Sequence, residues 1–157
     1  MQTKVILAIQ LLLGFVWLKS ALGKFASNIF ITTLAPTLTK FASKNPLPWY
    51  KTFLEAVTIP NVTVFGELTR WGELTTAILL IGSVVLLFKR PSNKYVLIAA
   101  ALGSALGFFL NLQFGLASFW MSPASETVNV VMGGTELILL VYYTRLRWFH
   151  PHSLNRG

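Results

Sequence analysis

Long apolar runs make up most of the chain, and short polar stretches separate them. Four of these runs lie at positions 4–24, 62–88, 95–114 and 124–145. About 20 apolar residues are enough to cross a hydrocarbon core of roughly 30 Å as a helix. Because lipid offers the backbone no hydrogen-bond partners, a segment that crosses it must be helical. The pattern predicts an all-α integral membrane protein, a bundle of four transmembrane helices that forms a single domain over 1–157.

The connection between the first two runs is too long for a plain turn and contains helical signals of its own. Residues 28–43 are mildly amphipathic, although Pro36 interrupts them. Residues 48–58 begin with a proline and place Trp49, Phe53 and Val57 on one face. We therefore expect two short interfacial helices in the first outer loop. They could be a cap that lies in the lipid headgroups or a lid over a site.

Composition agrees with a membrane protein and excludes several kinds of chemistry. Only 11% of the 157 residues are charged, against about 25% in a usual soluble domain. The chain has no cysteine, and its two histidines, His150 and His152, lie in the C-terminal tail. With no phosphate-cradling glycine loop either, the sequence shows no site for a metal, haem or flavin. The first run could be a signal peptide, but its length and the absence of a cleavage site before Lys24 favour a membrane helix.

The positive charges predict the orientation in the plasma membrane. The net charge is +8, and the basic residues are scattered at the ends of the apolar runs, which favours a role in topology over nucleic-acid binding. Lys89, Arg90 and Lys94 crowd the second connection, whereas the third connection, 115–123, has no Lys or Arg. The positive-inside rule then places both termini in the cytoplasm. The lysines of the first connection argue the other way, but the contrast between the two short loops is sharper.

In this orientation, polar residues from all four helices gather in the outer half of the bilayer. Ionisable groups inside a membrane are costly and usually face the bundle interior. The candidate site residues are Lys24, Glu67, Arg70, Glu73, Asn111, Glu126 and Asn129, with Glu136 near the midplane and Trp17, Trp71 or Trp120 as an aromatic wall.

Helical spacing relates several of these residues to one another. Arg70 lies three residues from both Glu67 and Glu73, so it can pair with either. The first helix carries Gln10, Trp17 and Lys24 at intervals of seven residues. The polar cluster has two interpretations. It is either a set of ion pairs that fixes the helix packing, or the lining of a cavity that opens outward.

Several short motifs resemble the DoxX/DoxD-like membrane proteins. The run Leu11–Lys24 looks like the opening helix of that family, with a Leu-Gly-aromatic stretch that closes on a lysine. The segment Phe65–Gly82 resembles its second helix, and Pro48–Leu54 resembles its outer-loop helix. Asn111–Ala117 is similar to the Asn-x-x-Phe-x-x-Ala stretch that follows the family's third helix, and Asn129 matches an asparagine early in its fourth.

The resemblance implies a membrane oxidoreductase subunit. Members resemble the small subunit of thiosulfate:quinone oxidoreductase, so electrons would pass from a sulfur compound to a membrane quinone, together with a second redox subunit. Lys24 and Arg70 would then attract an anion, Glu67, Glu73 and Glu126 would relay protons, and Glu136 would accept a proton at the deep end. Asn111, Asn129 and Trp71 would contact the substrate.

Two other hypotheses stay open beside this one. The same buried charges could serve a small-molecule transporter, although no inverted repeat is evident. They could equally hold together a non-catalytic assembly or anchoring subunit. Besides the lipid bilayer, the partners expected are a second subunit or further copies of the chain in a homo-oligomer, and no nucleic acid.

Overall fold

The computed structural model describes residues 4–27, 29–89 and 93–149. Arg90, which contributed to the predicted orientation, and the two histidines, His150 and His152, lie outside this part of the chain. The helices are α1 (Lys4–Ala26), α2 (Phe30–Lys44), α3 (Pro48–Phe53), α4 (Val62–Lys89), α5 (Lys94–Ser118) and α6 (Pro123–Phe149), and a π-helical turn (Leu54–Thr58) follows α3.

Four of these helices, α1, α4, α5 and α6, are long and apolar enough to cross a membrane. The prediction of an all-α, multi-pass membrane protein in a lipid bilayer is therefore confirmed. α1 packs against α4, α4 against α5, and α5 against α6, while α1 and α6 approach less closely and meet through long side chains. We call the end of the bundle that carries α2, α3 and the π-helical turn the capped end.

The third connection is shorter than the sequence predicted. α5 continues to Ser118 rather than ending at position 114, so the loop covers 119–122 instead of 115–123. Ala117 joins a small apolar cluster with residues of α2 and α3, which gives the last turn of α5 a surface to pack on. The N-terminus of α5 is capped by Asn93, whose side chain accepts hydrogen bonds from the backbone N–H groups of Tyr95 and Val96.

The long connection folds as the two predicted segments, with two differences in detail. α2 runs through Pro36 without a break, because Leu38 and Ala42 beyond it are buried in the cluster at the capped end. The second segment is α-helical only to Phe53 and then widens into the π-helical turn, where the backbone N–H of Ile59 donates to the Leu54 carbonyl at 2.9 Å. Such turns leave a helix locally wider and are frequent at functional sites.

Two glycines allow the membrane helices to pack closely. A Cβ at Gly14 of α1 would lie 2.6 Å from Ile81 of α4. A Cβ at Gly103 of α5 would lie 2.9 Å from the Cβ of Leu79 and 3.3 Å from the backbone nitrogen of Leu80. Small residues at helix contacts have this role in membranes, where dispersion replaces the hydrophobic effect as the main attraction between helices.

Replacing Gly103 by alanine should push α4 and α5 apart. The matched control is Gly82→Ala on α4, because a Cβ there meets no atom within 4 Å. Overpacking a fitted contact costs about 1–3 kcal/mol, and the gain in helix propensity is the same for both changes. We expect Gly103→Ala to be less stable than Gly82→Ala by about that amount in unfolding measured in detergent micelles. Equal stability would contradict the close packing of α4 on α5.

Candidate functional site

A cavity of about 780 Å³ lies at the capped end, between α4, α5 and the connection formed by α2, α3 and the π-helical turn. Its wall is largely aromatic and aliphatic, with the rings of Phe30, Phe41, Phe53, Phe65, Phe109 and Phe114. Among the lining residues, Lys24 is the charged one. This size falls within the range of roughly 300–1,000 Å³ that is typical of small-molecule sites, which are likewise mostly apolar with a few polar groups.

Lys24 and Glu73 form a buried ion pair at the wall of this cavity. The Lys24 ammonium lies 2.8 Å from each carboxylate oxygen of Glu73 and donates to the Ser20 hydroxyl at 2.7 Å. The Glu73 side chain is 1% exposed, whereas that of Lys24 is 23% exposed. The lysine therefore stands between the carboxylate and the cavity, so a molecule in the cavity would meet the positive partner of the pair.

Arg70 and Glu67 form a second pair on α4 that lies outside the cavity lining. The Arg70 Nε donates to Glu67 Oε2 at 2.7 Å, and its guanidinium also bonds the other carboxylate oxygen. The pairing of Arg70 with a nearby glutamate, which the helical spacing predicted, is thus confirmed. The guanidinium also lies 4.9 Å from the centre of the Phe25 ring. Phe25 in turn packs edge-on against Trp71, which lines the cavity.

Glu136 and Asn111 meet deeper in the bundle, together with Trp17. The Trp17 indole donates to Glu136 Oε1 at 2.5 Å, and the Asn111 amide donates to Glu136 Oε2 at 2.7 Å. Glu136 is fully buried. Gly107 makes room for it, because a Cβ there would lie 2.2 Å from the carboxylate. This cluster therefore joins α1, α5 and α6 around one carboxyl group.

A further polar cluster lies toward the other end of the bundle. The Gln10 amide donates to the Leu80 carbonyl at 2.8 Å and to the Ser83 hydroxyl at 2.7 Å, and the Tyr143 hydroxyl donates to the Gln10 side-chain oxygen. The sequence marked Gln10 by its spacing from Trp17 and Lys24. It gave no reason to select Ser83 or Tyr143, because neither residue type stands out within an apolar helix.

Tyr50 of α3 secures the connection to α5. Its hydroxyl donates to the Gln113 backbone carbonyl at 3.1 Å and lies 3.3 Å from the side-chain oxygen of the same residue. Burial raises the pKa of Tyr50 to about 12, so the phenol keeps its proton at neutral pH and acts as a donor. Both residues line the cavity, and sequence reasoning selected neither.

The remaining candidates lie apart from this cavity. Glu126 is exposed on the first turn of α6, and the Asn129 amide donates to the Ser125 carbonyl of its own helix at 2.8 Å. Of the candidate residues, the structure places Lys24 and Trp71 in the cavity wall, with Glu73 behind Lys24. Arg70 and Glu67 form one separate contact, and Glu136 forms another with Asn111 and Trp17. Trp120 is exposed and is not in the cavity lining. The expected lining by all of them together is not what the structure shows, and their chemical roles stay predictions.

No family model, curated protein or solved structure matches this chain. Among the described residues, no group of three or more histidine, aspartate or glutamate side chains is placed to hold a metal ion. The resemblance to the DoxX/DoxD-like proteins therefore stays a prediction from the sequence motifs.

Removing one partner of the Lys24–Glu73 pair should be costly. Lys24→Met leaves the Glu73 carboxylate buried without its cation, a loss of about 3–5 kcal/mol in comparable buried pairs. The control is Lys51→Met, whose partner Glu55 lies 3.9 Å away with both side chains about half exposed. Exposed pairs contribute at most about 1 kcal/mol. Unfolding of both variants in micelles measures the difference, and the double change Lys24→Met with Glu73→Leu should recover part of the loss. Equal stability of the two single variants would show that the Lys24–Glu73 pair adds no more to the free energy of unfolding than the exposed pair does.

Proposed function

We propose that the cavity binds a quinone or a similar lipid-soluble ring compound, and that the chain is the quinone-binding subunit of a membrane oxidoreductase. The observation that carries this proposal is the combination of a large aromatic cavity with the Lys24–Glu73 pair at its wall. Aromatic side chains suit a flat ring and an apolar tail, and an ammonium group is a good partner for a ring oxygen that gains negative charge.

Lys24 has the central chemical role in this proposal. A quinone that takes up two electrons and two protons becomes a quinol, and negative charge develops on its oxygens as the electrons arrive. The ammonium of Lys24 stabilises that charge, while Glu73 and Ser20 hold the ammonium in place. Arg70 is already paired with Glu67 outside the cavity lining, so we assign it a role in packing rather than in anion binding.

The electron donor in this proposal is a sulfur compound such as thiosulfate, and a second subunit carries the electrons to the quinone. This part rests on the resemblance to the DoxX/DoxD-like proteins. The absence of cysteine from the chain supports the need for a partner, since this chain offers no thiolate for iron–sulfur ligation.

A second candidate function is a non-catalytic assembly subunit, and one observation favours it. The charged groups Lys24, Glu73, Arg70 and Glu67 are already neutralised in pairs within the chain. Such pairs can fix helix packing without a ligand. In that case the cavity would hold lipid acyl chains, and quinone would not compete for it.

We place the capped end on the outer side of the plasma membrane. The basis is the Lys89–Lys94 stretch at the opposite end and the loop 119–122 at the capped end, which lacks Lys and Arg. Because the chain has no cysteine, single cysteines can be introduced at Trp120 and at Lys94 and probed with a membrane-impermeant thiol reagent on intact cells. We expect labelling at position 120 and none at position 94. The reverse pattern would overturn the orientation.

Reducing the free space in the cavity should weaken quinone binding. Gly72 lines the cavity, and a Cβ there would meet Leu110 at 3.5 Å, an ordinary contact. Gly72→Leu therefore adds a branched apolar side chain at the cavity wall, beside Leu110, which lines the cavity as well. We expect at least about a tenfold rise in the Kd of a short-chain quinone, equivalent to about 1.4 kcal/mol. Quenching of tryptophan fluorescence in nanodiscs measures it, since Trp71 lies in the wall.

The matched control is Gly82→Leu on the same helix, where a Cβ meets no atom within 4 Å and the residue is not in the lining. It should bind quinone as the wild type does. Saturable binding that is equal in all three proteins would place the quinone elsewhere. No saturable binding by the wild type would favour the assembly subunit.

A further inference from the structure

Glu136 differs from the other buried carboxyl group of the bundle in having no cationic partner. Glu73 is paired with Lys24, whereas the recorded partners of Glu136 are the neutral N–H groups of Trp17 and Asn111. In the part of the chain that the structure describes, no lysine or arginine nitrogen lies within 4 Å of Glu136. Its carboxyl is also fully shielded from solvent.

The groups that face Glu136 come from each helix packed around it. α1 contributes Trp17, and α5 contributes Asn111 and the bare backbone of Gly107. Along α6, the next buried polar side chain after Glu136 is Tyr143, which donates its hydroxyl to Gln10 instead. The buried carboxylate of α4, Glu73, forms an ion pair with Lys24. No charge in these contacts compensates a carboxylate at position 136.

An isolated carboxylate in an apolar interior is so unfavourable that the group normally takes up a proton instead. The two N–H hydrogen bonds do not require the ionised form, because both oxygens of a carboxylic acid can still accept one. A metal cation fits them poorly, since the indole and the amide present N–H donors rather than oxygen ligands.

We propose that Glu136 is a proton-binding site in the bundle interior, and that its occupancy is linked to the cavity through Trp17 and Phe114. The Phe114 ring lines the cavity and lies 6.2 Å from the Trp17 ring, centre to centre. The Trp17 indole in turn donates to Glu136. A molecule that displaces Phe114 therefore changes a hydrogen bond to the carboxyl, and linkage makes this effect reciprocal. The proton site stands on its own, whereas its link to a bound quinone rests on the proposed function.

Infrared spectroscopy of the purified protein in nanodiscs tests the proton site directly. A protonated carboxyl has a carbonyl stretch that is separate from the carboxylate bands. We expect this band in the wild type at neutral pH, its loss in Glu136→Gln, and its retention in Glu73→Gln, where the pair with Lys24 is removed instead. If Glu136→Gln fails to fold, Trp17→Phe and Asn111→Leu each remove one donor and should shift the band. A wild type without the band, or a band that none of these changes affects, overturns the proposal.

Two further measurements of the same infrared band test the link between Glu136 and the cavity. Phe114→Leu should shift the Glu136 band, whereas Phe109→Leu, which also alters the cavity wall, should leave it in place. Adding a short-chain quinone to the wild type should shift it in the same way. If neither Phe114→Leu nor a bound quinone shifts the Glu136 band, the link to the cavity is overturned. If no quinone binds, the proposed function fails, and the comparison of Phe114→Leu with Phe109→Leu still decides the link.

Discussion

The need to satisfy polar groups inside hydrocarbon governs the arrangement of this bundle. α1 carries Gln10, Trp17 and Lys24 at seven-residue intervals, so they rise along one stripe in steps of about 10 Å. Each finds a partner on another helix: Gln10 on α4 and α6, Trp17 on α6, and Lys24 on α4. A shift of α1 by one turn would break all three contacts at once. Since lipid offers no replacement partners, the stripe sets the register of α1.

The same contacts explain how a wide gap between helices is closed. α1 lies close to α4, where Gly14 permits a tight contact, but reaches α6 through the long side chains of Trp17, Glu136, Gln10 and Tyr143. Toward the capped end, the packing changes again. There the connection of α2, α3 and the π-helical turn covers α4 and α5 without filling the space beneath it, and the cavity results.

Much of the fold could be read from the sequence, because the apolar runs must be helices and must be long enough to cross the membrane. The helix ends were less predictable. The continuation of α5 to Ser118 and of α2 through Pro36 depends on tertiary packing against the cluster at the capped end. Local pattern carries no information about such contacts. The pairing of Arg70 with Glu67 was predictable, since it needs only the geometry of one helix.

The candidate site was predictable only in part. Sequence placed the polar residues in one half of the bilayer but could not tell which helix faces meet, so it merged contacts that the structure separates. Lys24 with Glu73 lies at the cavity, whereas Glu136 with Asn111 lies behind Trp17. Trp71 was expected in an aromatic wall and lies there, but the phenylalanines of that wall went unrecognised. In an apolar run they look the same whether they face lipid, core or cavity.

The most direct measurement is an experimental structure of the protein in lipid nanodiscs with a short-chain quinone added. The central claim is that the α1 stripe fixes a bundle whose capped end holds a ring-binding cavity beside Lys24. The result expected is density for the quinone ring in that cavity, with Lys24 on Glu73 and Trp17 on Glu136. Density for the ring elsewhere, or α1 displaced by a turn with these contacts absent, would contradict it.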